Sequence, residues 1–138
     1  MNEKYKPHDI SHEKYLKNVD DFLEIDTIKV LTSEKICPKS ARWLGADEII
    51  RIAQRIHTEV HFANEIEVKN IREKIDRHAA QTRAIALMKT LGEKFEFCSA
   101  IWDMDVNKLE GWLKKKGQIQ SWITSWQRNE ERRYQDIG

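Results

Sequence analysis

Residues 68–97 read VKNIREKIDRHAAQTRAIALMKTLGEKFEF, and this stretch decides the fold. Its apolar and small residues recur at Ile71, Ile75, Ala79, Thr82, Ile85, Ala86, Met88 and Leu91. That spacing is close to the heptad seam used by helix bundles, and it predicts a helix over 68–97. On its N-terminal side, residues 41–64 place Leu44, Ile49, Ile52, Ala53, Ile56, Val60 and Ala63 at helical spacing. Ser40 is a suitable N-cap for that helix. Cys37-Pro38 breaks the chain before it, because a residue preceding proline is pushed out of the helical region.

Further out, Val19, Phe22, Leu23, Ile28 and Leu31 suggest a first helix over 19–36, with a strand as the competing reading because Thr27, Ile28 and Val30 are β-branched. Residues 1–18 are polar and are expected to form a flexible N-terminal arm. On the C-terminal side, Asp103 or Asp105 would cap a fourth helix over 106–132. Its stripe is Leu109, Trp112, Leu113, Ile119, Trp122, Ile123 and Trp126, interrupted by Gly111 and Gly117, which permit a close helix approach or a bend. Residues 134–138 would be a short tail. Short connections make neighbouring helices antiparallel. The expectation is an all-α, up-down-up-down antiparallel four-helix bundle over 19–133, with Ile52, Ile56, Val60, Ile75, Thr82, Ile85, Leu109, Leu113 and Ile123 facing inward.

Composition narrows the classes. A chain of 138 residues suits one domain with an ordinary core. No window approaches the roughly 18 apolar residues of a membrane span, and the N-terminus shows no secretory h-region. Cys37 and Cys98 form neither a CxxC pair nor a disulfide framework, which suggests a reducing cytoplasm. The formal net charge is +1. Residues 1–37 hold 6 basic and 8 acidic side chains, so the remaining 101 are mildly basic.

Few residues suggest chemistry. His57 and His61 lie one helical turn apart, with Glu65 a turn later, a spacing that could hold a metal. HTEVH is not HExxH, and no second ligand cluster is visible, so the pair reads as a partly buried histidine pair and no metal or cofactor is assigned. Arg51 to His57 and Arg72 to His78 each read R-x5-H, which resembles the short motif of helical HEPN-type ribonucleases. In a chain with 24 basic residues such hits are close to chance. Cys98 reads as a buried thiol. No Gly-rich phosphate loop, GxSxG motif or framed carboxylate pair is present, so no catalytic residue is assigned.

The fourth helix carries Lys114, Lys115 and Lys116, then Trp122, Trp126, Arg128, Arg132 and Arg133. Trp and Arg are enriched at interfaces. A helix end built from them could pack on a protein or present planes to bases.

Three stretches together resemble a known family: PKSARWLGADEIIRIAQRIHTEVHFAN at 38–64, AAQTRAIALMKTLGEKF at 79–95 and KLEGWLKKKGQIQSWITSW at 108–126. They are similar to the four-helix-bundle accessory variability determinant proteins of diversity-generating retroelements, which share their fold with the 23S rRNA intervening-sequence proteins. The shared features are Pro38-Lys39-Ser40 entering the second helix, Ala63-Asn64 ending it, the Ala/Leu stretch of the third, and Ser121-Trp122 or Ser125-Trp126 late in the fourth. The resemblance covers roughly residues 20–128. It implies a non-enzymatic homo-oligomer, a pentamer, that binds a reverse transcriptase and template RNA or DNA. The basic residues it points to are Arg42, Arg51 and Arg55, then Arg72, Arg77 and Arg83, then Lys114 to Lys116. Family members are strongly basic and this chain is nearly neutral. The alternatives are a HEPN-like ribonuclease and a bundle whose only role is protein interaction.

Overall fold

The computed structural model describes residues 5–104 and 106–137. The chain is all-helical, with no strand among the described residues. Four rods account for it. The first is built from α1 (Tyr5–Asp21), a π-helical turn (Phe22–Asp26) and α2 (Thr27–Thr32). The others are α3 (Ala46–Glu65), α4 (Ile71–Ile101) and α5 (Glu110–Arg133).

The first rod starts earlier than its sequence suggests. Residues 5–18, expected as an arm, are helical; residues 1–4 of that expectation lie outside the described residues. Contacts from other rods explain the extension. Leu16 is buried, Tyr15 stacks on Trp122 at 5.3 Å, and His12 Nε2 lies 2.8 Å from Asn64 Oδ1. The competing strand does not form at Thr27. This residue is fully buried, its hydroxyl donates to the Phe22 carbonyl at 2.8 Å, and it accepts Trp112 Nε1–H at 3.0 Å. A hydroxyl that satisfies two buried groups anchors the π-helical turn against α5.

Helix starts and stops differ from the expected caps. Ser40 belongs to a 3₁₀ turn (Lys39–Ala41), and the N-cap of α3 is Gly45, at φ +129°. A Cβ there would sit 2.5 Å from Cys98 Sγ, so both the backbone angle and the space call for glycine. Arg42 secures this connection by donating to the carbonyls of Thr32 at 3.0 Å and Cys37 at 3.4 Å. Asn70 caps α4: its side chain accepts the Glu73 N–H, and Glu73 reaches back to the Lys69 N–H at 2.8 Å. Asp103 does not begin the last helix. It follows the end of α4 at φ +51°, a left-handed conformation that Asp tolerates. Asp105 lies outside the described residues. A 3₁₀ turn (Val106–Leu109) leads into α5. A Cβ at Gly111 or Gly117 would meet nothing within 4 Å, so neither glycine serves a close helix approach.

The core runs through all four rods: Val19, Phe22 and Leu31 from the first, Ile49, Ile56 and Val60 from α3, Met88, Leu91 and Phe95 from α4, and Ile123 from α5. Ile52 and Leu109 also face inward as expected, while Leu113 and Ile85 are half-buried. Ile75 and Thr82 are exposed instead. The buried face of α4 is Ala80, Ala84, Met88, Leu91, Phe95 and Cys98, rotated from the stripe read from sequence. The bulky Ile71 and Ile75 marked that stripe; the helix instead turns Ala80 and Ala84 inward. Further along α4, Phe95 packs on Trp112 at 4.2 Å, and Trp112 in turn on Phe22 at 5.2 Å.

Polar contacts report how the rods pair. Glu48 meets Lys94, Glu59 meets Arg83, and the Ile66 carbonyl meets Arg77. Met88 O lies near Lys116, Thr82 bonds Gln127, and His78 meets Glu131. In both series one residue number rises as the other falls.

Candidate functional site

The aromatic end of α5 forms the floor of an open groove of about 750 Å³. Trp122 stacks on Trp126 at 5.4 Å with planes 16° apart, and Tyr15 stacks on Trp122 at 5.3 Å with planes 21° apart. His12 tilts over both indoles. Arg133 and Tyr134 line the same groove, the guanidinium 5.4 Å from the ring centroid. Trp122 is half-buried, whereas Trp126 is buried. Trp122 therefore stays partly open to the groove, and Trp126 acts as its support.

Beneath Trp126 lies a polar network that consumes two of the residues read as surface contacts. Glu130 is buried. Its Oε1 accepts from Arg77 Nε at 2.7 Å and Gln81 Nε2 at 2.8 Å. Its Oε2 accepts from Trp126 Nε1 at 2.7 Å and from Arg77 Nη2. Arg77 also donates to the Ile66 carbonyl at 2.7 Å and lies over the Trp126 ring. Arg77 and the Trp126 N–H are thus held internally, and Arg77 does not present a charge to a nucleic acid. Sequence reasoning could not see this, because the partners are 53 residues apart.

The other basic candidates separate by their contacts. Arg42 is tied to the loop carbonyls before α3, Arg83 to Glu59 at 2.8 Å, and Lys115 to Asp26 at 2.6 Å. Hydrogen bonding to Glu59 raises the Arg83 pKa above its usual value. Lys116 folds back onto Gln120 Oε1 at 2.9 Å and the Met88 carbonyl, and desolvation lowers its pKa. By contrast, Arg51, Arg55, Arg72, Lys114, Arg128 and Arg132 are exposed and make no hydrogen bond or ion pair with a described residue. On α5, Lys114, Ser121, Ser125, Arg128 and Arg132 follow one another at spacings that share a face. The expected Lys114–Lys116 triplet is therefore one free cation and two engaged ones.

The histidines also separate. His78 pairs with Glu131 on the surface at 2.9 Å. His57 and His61 meet Asp20 of α1, with His57 Nδ1 2.9 Å from Asp20 Oδ1 and His61 Nε2 2.9 Å from both carboxylate oxygens. Glu65, the third ligand suggested by sequence, lines the aromatic groove instead. The carboxylate beside the histidine pair is thus Asp20 of another rod, not the Glu65 that the spacing suggested. Asp20, His57 and His61 could hold a metal ion. Arg51, the other half of the R-x5-H pattern, touches none of them.

Cys37 and Cys98 are free and buried, and burial raises both thiol pKa values. No helix among the described residues is long and apolar enough to cross a membrane. Compared with known proteins, the chain matches no family model, none of the curated proteins and none of the solved structures.

Proposed function

We propose that this chain is a non-enzymatic accessory protein of a reverse transcriptase in a diversity-generating retroelement, working in the cytoplasm. It binds the polymerase and its template RNA or DNA through basic surfaces of an oligomeric bundle. One observation carries the reading: the groove floored by Trp122 and rimmed by Arg133 lies on the same helix end as Arg128 and Arg132, which make no hydrogen bond or ion pair with a described residue. An aromatic plane beside guanidinium groups suits stacking of an unpaired base, with its phosphate held by the neighbouring cations.

The opposite running of paired residues between rods supports an up-down-up-down antiparallel order. Exposed apolar side chains support a homo-oligomer, with a pentamer expected: Trp43 is 75% exposed, Phe97 65% and Ile75 57%. These are not the tryptophans that the sequence put forward; Trp112 and Trp126 serve the core. Oligomerisation would repeat a modest basic surface and raise avidity.

The test is an RNA titration at two salt concentrations. Wild type should bind more weakly at high salt, because phosphate contacts release counterions. An Arg128→Glu, Arg132→Glu, Arg133→Glu variant should lose binding. If wild type fails to bind at low salt even with its polymerase present, the nucleic-acid part of the proposal is refuted. RNA cleavage abolished by His57→Ala would move the assignment to a ribonuclease. Light scattering giving a mass near 16.4 kDa would refute the oligomer.

A further inference from the structure

We infer that Asp20, His57 and His61 form a zinc site that clamps the first rod to α3. His57 and His61 lie one turn apart on α3 and present Nδ1 and Nε2, respectively, to one carboxylate. Their rings are 4.3 Å apart and tilted by 42°, so both point into the same small space. Glu24 adds a second carboxylate, its Oε1 3.6 Å from His57 Nδ1. Asp20 and Glu24 are themselves four residues apart, so an acidic pair on one rod faces a histidine pair on the next.

Imidazole nitrogen and carboxylate oxygen are the ordinary zinc donors besides thiolate. With bond lengths of roughly 2.0–2.2 Å, tetrahedral zinc spaces its donor atoms roughly 3.3–3.5 Å apart. Each histidine nitrogen sits 2.9 Å from Asp20 Oδ1, and the three donor atoms all lie within 4.8 Å of one another. A shift of about half an ångström would admit the ion between them. Two neutral imidazoles and two carboxylates balance the charge of a divalent cation, and half-exposed side chains leave a route of entry. The backbone adds an independent observation. The π-helical turn begins two residues after Asp20 and contains Glu24. Such turns are rare and occur frequently at functional sites.

The experiment uses the full chain, without an affinity tag and freed of metal by a chelator. Zinc chloride is titrated by calorimetry and the melting temperature is followed in parallel. One ion should bind per chain and raise the melting temperature. Asp20→Asn and His61→Gln should each weaken binding about tenfold or more, while His78→Gln, on α4, should bind as wild type does. Failure to bind one ion per chain overturns the site, as does wild-type affinity in the His57→Gln, His61→Gln double variant. Should the variants unfold, histidine ¹⁵N spectra of the wild type decide. The His57 Nδ1 and His61 Nε2 resonances should shift on zinc addition, and unchanged resonances overturn the proposal. RNA binding is measured separately, so its failure leaves this result standing.

Discussion

Two charged clusters join the rods of this molecule, and they differ in how completely they are closed. Around Glu130, both carboxylate oxygens receive two donors each, and the Arg77 and Glu130 side chains are only 12% and 10% exposed. Around Asp20, the carboxylate and its histidines are 24%, 38% and 36% exposed, and a second acid stands by. Burial makes the first cluster an internal fastening, because an unpaired charge there has no water to turn to. Access makes the second a place where an ion can replace shared protons. A carboxylate between rods thus takes different roles according to its partners and its solvent contact.

The largest expected effect tests the closed cluster. Glu130→Ala leaves the Arg77 guanidinium buried without its carboxylate and should cost about 3–5 kcal/mol. Thermal unfolding should show a fall in melting temperature; an unchanged value would break the comparison. Trp126→Phe removes one of four donors to Glu130 and should cost about 1–2 kcal/mol, read by urea denaturation. Asp20→Asn in metal-free protein should cost less than about 1 kcal/mol, since its partners are half in water. A loss as large as that of Glu130→Ala would show that the second cluster is also a structural fastening. The smallest effect belongs to Arg128→Glu with Arg132→Glu. Circular dichroism should show unchanged melting while RNA affinity falls, because both side chains are exposed and neither makes a hydrogen bond or ion pair with a described residue.

Much of the architecture was legible because helical periodicity is local. The stripes of 41–64 and 106–132 mark α3 and α5, and Ile52, Ile56, Val60 and Ile123 do face the core. What misled was equally local. Polar composition made 5–18 look like an arm, although Leu16, Tyr15 and His12 are held by residues far along the chain. Bulk made Ile71 and Ile75 look like core, although α4 turns Ala80 and Ala84 inward. A run of three lysines looked like one basic patch, although Lys115 and Lys116 are engaged and Lys114 is free.

By itself, then, the sequence determined the helical class, the approximate extent of the three later rods and the one-turn spacing of His57 and His61. Each depends on residues within a few positions of one another, where the periodicity of the helix sets the geometry. Only the tertiary structure decided which cations are free, which tryptophan is open and which acid meets the histidines. Asp20 lies 37 residues before His57, and Arg77 lies 53 before Glu130. No local pattern encodes such pairs; the packing of rods brings them together and sets how much water they keep.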